Sequence, residues 1–156
     1  MEKRHIFSVI VKNESNVLAR ISGLFAGRGY NIESLTVAPI PHDREFSRLT
    51  IETIGSASVA EQIEKQLNKL ISVSKVISSS EIIEKEMALV KIPIEQSLSD
   101  VDALARAYNG KIVNVGNKTI IVMVADEPVR VKFFLEAVKK YLPVEIIRSG
   151  VVALER

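Results

Sequence analysis

Apolar and polar positions along the chain repeat with two periods, and the period switches at short polar or glycine-bearing breaks. From Ile6 to Val11 it is two, with Phe7, Val9 and Val11 on one face, which predicts a strand. Val17, Leu18, Ile21, Leu24 and Phe25 then follow the i, i+1, i+4, i+7, i+8 spacing of one buried helical stripe, N-capped by Ser15 or Asn16 and stopped by a left-handed Gly29. Ile32 to Ala38 predicts a second strand and Pro39 to Phe46 an exposed connection. Arg48 to Ile54 predicts a third strand with Leu49 and Ile51 inward. The capping box Ser58-Val59-Ala60-Glu61 opens a helix whose stripe is Val59, Ile63, Leu67 and Leu70, and Val73 to Ser78 supplies a fourth strand. The order is β-α-β-β-α-β, the ferredoxin-like pattern.

Ser78-Ser79-Ser80-Glu81 breaks the composition, and the same order then returns. Strands are expected at Met87 to Ile92, Lys111 to Val115, Thr119 to Val124 and Val144 to Arg148. Helices are expected at Asp100 to Tyr108, capped by Ser99 and closed by Asn109-Gly110, and at Pro128 to Leu142. The first elements of the halves are offset by about 80 residues and the later ones by about 70. A shorter second hairpin, Val115-Gly116-Asn117-Lys118 against Pro39 to Phe46, accounts for the difference. The expected fold class is therefore α+β, two tandem ferredoxin-like βαββαβ subdomains over residues 1–79 and 80–156. The apolar tail Ser149 to Leu154 is expected to pack back on a subunit surface. Gly23 and Gly27 lie inside the first helix at about 1 kcal/mol each relative to alanine, which suggests close packing of helix on sheet.

With 47% hydrophobic residues the chain can bury real cores, and 21 basic against 19 acidic residues, interspersed, give no electrostatic case for nucleic acid or a membrane surface. The longest apolar runs are six residues, far below a membrane span or a secretory core, so a soluble, cytoplasmic chain is expected. There is no cysteine, which fits a reducing compartment. His5 and His42 stand far apart outside any metal-ligand spacing, and no glycine run matches a phosphate-binding loop. Phe7 is the only aromatic on the first strand and Arg48 to Ile54 has none, which argues against RNA binding on the sheet. No catalytic, cofactor or metal residues are expected.

The stretch that promises function is Ser8 to Pro39. Lys12-Asn13-Glu14-Ser15-Asn16 delivers a strand into a helix, where unpaired N–H groups suit a small carboxylate. Tyr30-Asn31-Ile32 is expected to re-enter the sheet beside that turn with an amide and apolar surface. Composition weights helix cap and binding site equally at Asn13 to Asn16, and Asn31 equally serves local backbone groups.

The run GLFAGRGYNIESLTVAP, followed by SRLTI, EQIEKQLNKL, EMALVKI and RSGVVAL, closely resembles the small regulatory subunit of acetolactate synthase (acetohydroxyacid synthase) over essentially the whole chain. The resemblance implies an N-terminal ACT domain for effector binding and dimerisation and a C-terminal ACT-like regulatory domain. It implies a subunit without an active site of its own. Its partner would be a catalytic large subunit using thiamine diphosphate, Mg2+ and FAD, which it activates and makes sensitive to feedback, usually by valine, in branched-chain amino-acid biosynthesis. The effector would lie between paired ACT domains, with Asn13, Ser15, Asn16, Val17 and Leu18 on one wall and Asn31 and Ile32 of the other protomer on the second. Backbone N–H groups at Val17 and Leu18 would hold its carboxylate. Where the family commonly reads N-x-x-G, this chain has Asn13-Glu14-Ser15-Asn16, which implies weaker or altered effector binding. The alternative is a stand-alone ACT-type amino-acid sensor acting on transcription or another enzyme, and a third reading is an independent ferredoxin-like enzyme.

Overall fold

A computed structural model describes residues 1–156. They form two compact units, Met1–Ile83 with Val151–Arg156, and Glu84–Gly150. The division therefore falls four residues later than the 79/80 boundary expected from Ser78 to Glu81, and the last six residues fold with the first unit.

The first unit contains β1 (Lys3–Lys12), α1 (Val17–Gly27), β2 (Ser34–Ile40), β3 (Asp43–Gly55), α2 (Ala57–Asn68) and β4 (Val73–Ile77), in an antiparallel sheet of order β2-β3-β1-β4. Phe7, Val9 and Val11 of β1 and Leu49 and Ile51 of β3 point to the same face, where Val17, Ile21 and Phe25 of α1 and Ile63 and Leu67 of α2 complete the core. After it, β5 (Ile82–Pro93), α3 (Leu98–Ala107), β6 (Gly110–Val115), β7 (Thr119–Asp126), α4 (Pro128–Ala137) and β8 (Glu145–Glu155) repeat the order, with sheet order β6-β7-β5-β8; the second unit holds these elements except the first two residues of β5 and the last five of β8. Its core joins Val90 and Ile92 of β5, Ile120, Val122 and Val124 of β7, Val101 and Ala105 of α3, and Val131 and Phe134 of α4.

The differences from the expected elements have local causes. Pro39 to Phe46 is no loose connection: β2 and β3 run on to a tight turn at Pro41-His42, with Ile40 opposite Asp43. Pro39 is tolerated because β2 is an edge strand, where a missing N–H breaks no second ladder. The caps sit two residues earlier than read: Ser56 accepts from the Val59 N–H and Ser97 from the Asp100 N–H, each directly where the extended chain ends. α4 stops at Ala137, a 3₁₀ turn carries Val138–Tyr141, and Leu142 is left-handed at φ 55°.

Two expectations about α1 fail. Leu18 is 43% exposed, so the buried stripe narrows to Val17, Ile21 and Phe25 with Leu24 alongside. A Cβ at Gly23 or Gly27 would meet nothing within 4 Å, so these glycines face outward and not onto the sheet. Gly29 does end the helix as read, at φ 70°, with the Tyr30 N–H reaching back to the Phe25 carbonyl at 2.9 Å.

β8 runs on beyond the strand expected at Val144 to Arg148, and its last residues lie against the first sheet's other face. Thr36 Oγ1 donates to the Val151 carbonyl at 3.0 Å, the Val151 N–H to Ser34 Oγ at 3.4 Å, and the Arg156 N–H to the Glu81 carbonyl at 3.1 Å. Val151 and Ala153 are buried there.

Candidate functional site

The turn from β1 into α1 is held rigidly on one side and left open on the other. The Asn13 N–H donates to the Glu45 carbonyl at 2.7 Å and its Nδ2 to the Arg44 carbonyl at 3.1 Å, so the turn is tied to the start of β3. The Glu14 N–H closes onto the Lys12 carbonyl at 2.8 Å. Asn16 occupies the N-cap position at φ −106°, ψ −1°, and its side chain makes no capping bond. That is not the extended conformation from which a cap side chain reaches forward. The Val17 N–H is spent on the Glu14 carbonyl at 3.4 Å, which removes it from the pair expected to hold a carboxylate, whereas the Leu18 and Ala19 N–H groups have no acceptor in the chain. No acidic side chain stands in the first turn. The helix dipole favours an anion at this end of α1, where Asn13, Ser15, Asn16 and Leu18 are exposed and Glu14 is the one carboxylate in the preceding turn.

Asn31 and Ile32 are not beside that turn, contrary to expectation. The register places Lys12 opposite Phe46, and Ser34, just after Ile32, opposite Glu52. The two positions thus lie at opposite ends of the sheet, because the eleven residues of α1 carry the chain back by about 16 Å. Asn31 is exposed, its carbonyl accepting from Thr53 Oγ1 at 2.6 Å, and Ile32 rests partly on the core. One chain brings Asn13, Ser15, Asn16, Val17 and Leu18 together, and Asn31 with Ile32 separately.

The second unit repeats the scaffold without that open helix start. At the start of α3, Ser97 caps the helix and Asp100 adds a negative charge to the first turn. At its far end Asn109, left-handed at φ 58° where the first unit has Gly29, donates to Asp126, which also receives Arg130 Nε at 2.6 Å and the Glu127 N–H at 2.8 Å. Arg130 lies 5.2 Å from the Tyr108 ring centroid and donates to the Ala107 carbonyl. Burial pushes the Asp126 carboxyl up, but the hydrogen bonds from Arg130, Glu127 and Asn109 and the Arg130 charge outweigh it and bring the pKa down from 3.8 to about 2. Sequence reading missed this cluster, whose one visible signal was the Asp126–Arg130 i, i+4 spacing across a helix start.

His5 is turned to the Gly55 carbonyl and His42 is exposed in the β2-β3 turn. No group of three or more His, Cys, Asp or Glu is placed to hold a metal, and no helix is long and apolar enough to cross a membrane.

Comparison with known proteins settles the kinship. A family model described as the AHAS small subunit-like ACT domain matches residues 7–75, and one described as the small subunit of acetolactate synthase matches residues 85–156. The chain belongs to the acetolactate synthase small-subunit family. The acetolactate synthase small subunit of Haemophilus influenzae is 43% identical over 98% of this chain and 96% of its own length. The isozyme 3 small subunit of Escherichia coli is 42% identical over 98% and 96%. The crystal structure of the small subunit from Thermotoga maritima superposes with a TM-score of 0.88 at 33% identity, covering 99% of this chain and 98% of that one. Both units are therefore ACT-like, and membership makes the chain the small partner in an enzyme complex with a catalytic large subunit.

Proposed function

We propose that the chain is a non-catalytic regulatory subunit that activates the thiamine-diphosphate-dependent large subunit of acetolactate synthase and makes it sensitive to feedback by valine. Thiamine diphosphate, Mg2+ and FAD belong to the large subunit on this reading. The observation that carries the effector site is the contrast between the helix starts within one chain: α1 has no side-chain cap and no acidic residue in its exposed first turn, whereas α3 is capped by Ser97 and carries Asp100 in its first turn. An α-amino acid places its carboxylate on the Leu18 and Ala19 N–H groups and its ammonium near the Asn13 amide oxygen, with Leu18 against its aliphatic side chain.

The second wall comes from another copy. Asn31 and Ile32 sit at the far end of the same sheet, so antiparallel pairing of two ACT domains brings one protomer's Asn31 to the other's Asn16. An exposed β2 edge and the outward small face of Gly23 and Gly27 on α1 suit such a homodimer. Asn16 is right-handed and so carries no backbone strain in place of a family glycine, and what it adds is a Cβ and an amide at the carboxylate. Charge-assisted hydrogen bonds of about 1.5 to 3 kcal/mol each and a similar gain from a buried valine side chain, less association costs, give roughly micromolar to sub-millimolar affinity.

The test is acetolactate formation by the large subunit alone, with this chain, and with this chain plus valine. Stimulation that valine reverses is the expected result, and an unstimulated large subunit overturns the reading. Calorimetry on Asn16→Gly is expected to show tighter valine binding than the parent. Binding of valine without any thiamine-dependent partner on co-purification would instead favour a stand-alone sensor.

A further inference from the structure

We propose that the first unit carries a second small-molecule site, on the sheet face opposite its helices, for the carboxylate end of a small aliphatic acid. Ile6 and Ser8 alternate with Phe7 and Val9 along β1, so when the latter enter the helix-side core the former face the other way. Between that face and the chain's last residues lies a cavity of about 50 Å³ lined by Ile6, Ser8, Arg48, Ile77, Ile82 and the Ala153–Glu155 segment. All of these belong to the first unit.

Two donors on its wall lack acceptors. Ser8 is 6% exposed, and its Oγ is buried with no hydrogen-bond partner, an arrangement buried hydroxyls rarely keep. Arg48, half-buried in the middle of β3, has no carboxylate within ion-pair distance, although Arg4 on the same face is paired with Glu52. A guanidinium beside a hydroxyl donor matches a carboxylate. Ile6, Ile77 and Ile82 supply apolar surface for a short carbon chain and disfavour a fully hydrated dianion such as sulfate or phosphate. Size sets the rest: a cavity of about 150 Å³ accommodates benzene, so one a third as large encloses a carboxylate and one or two carbons, with anything longer emerging at the mouth. Glu155 stands on the same wall and meets an ammonium if the acid carries one. Acetate and propionate therefore represent simple acids, and glycine and alanine amino acids.

The full chain, labelled with 15N, is titrated with each of the four at constant ionic strength, with sodium chloride as the balancing salt. Saturable shifts at the amides of Ser8, Ile77 and Ala153 are expected, weakened at least tenfold in Arg48→Gln and several-fold in Ser8→Ala. A hydroxyl without a partner also predicts that Ser8→Ala melts no lower than the parent in the absence of acid, which is read even if binding is weak. Glycine binding tighter than acetate, and lost in Glu155→Gln, assigns the site to amino acids. Acetate equal to or tighter than glycine assigns it to simple acids. Shifts that rise linearly, that chloride alone reproduces, that survive Arg48→Gln, or that vanish in Asn31→Ala overturn the proposal, the last because they would then originate at the effector site.

Discussion

Asn109 donates from Nδ2 to Asp126 Oδ2 at 2.9 Å, tying the end of α3 to the end of β7. The bond depends on Asn109 being left-handed, a conformation asparagine accepts more readily than most residues. It helps fix a carboxylate that is only 4% exposed and that Arg130 neutralises. A buried charge is kept only where such partners outweigh its lost hydration.

Asp126 therefore links the stability of the second unit to acid. Its folded pKa, about 2, lies below the ordinary 3.8, so its contribution is fully present above about pH 4 and is lost as pH falls through about 2. The contribution is on the order of 2 kcal/mol. Urea melts of the parent and Asp126→Asn at pH 7, 4, 3 and 2 check this: the parent is more stable at pH 7, and the gap closes only below about pH 4. A gap that persists unchanged at pH 2 excludes ionisation of Asp126 as its cause.

Gly110 permits the closest approach in the second unit. A Cβ there would sit 2.6 Å from the Met123 carbonyl oxygen, 3.0 Å from that of Ala105, and inside the Val124 side chain. Two of these neighbours are backbone and cannot rotate away. Gly110→Ala is expected to destabilise by about 3 kcal/mol, the upper end for an overpacked site, as a lowered melting temperature without loss of the first unit's fold. A change below about 0.5 kcal/mol would mean that β6 can shift outward at little cost.

The glycines of α1 give opposite signs. Gly29 at φ 70° ends the helix, and alanine there meets no atom but adopts a left-handed backbone at about 1 kcal/mol. Gly23 also has open space around it but helical dihedrals, so Gly23→Ala stabilises the isolated chain by up to about 1 kcal/mol. If the outward face of α1 packs against a second copy, the same change weakens dimerisation. If the parent sediments as a dimer through that face, Gly23→Leu is expected to shift it to monomer, and an unchanged dimer removes α1 from the interface.

What the sequence revealed, and what it hid, follows from the range of the interactions. The alternating Phe7, Val9, Val11 and the helical Ile21 and Phe25 declared their elements because burial of one face imposes a period. The tie from Asn13 to Arg44, and the separation of Asn31 from Asn16, depend on strand register, which no local pattern encodes. Pro39 and Pro41 read as a loop because proline usually breaks ladders, and only the edge position of β2 makes Pro39 compatible with a strand. The orphaned Ser8 hydroxyl was invisible for a similar reason, since its cover comes from Ala153 and Leu154 at the other end of the chain.

Asn16 offers the sharpest separation of stability from recognition. Its φ and ψ keep the side chain from capping α1, and the Leu18 and Ala19 N–H groups remain open. Asn16→Asp leaves that backbone as it is and adds a negative charge at the positive end of the helix, worth about 0.3 to 1 kcal/mol of stability. The same charge repels an incoming carboxylate and occupies the field that would hold it. The variant is therefore expected to melt slightly higher than the parent while binding valine at least tenfold more weakly, and Asn16→Gly to shift both quantities the other way. Thermal melts paired with calorimetry read the two effects independently. Valine affinity unchanged in Asn16→Asp would place the effector elsewhere, since a charge cannot be added beside a bound carboxylate without cost.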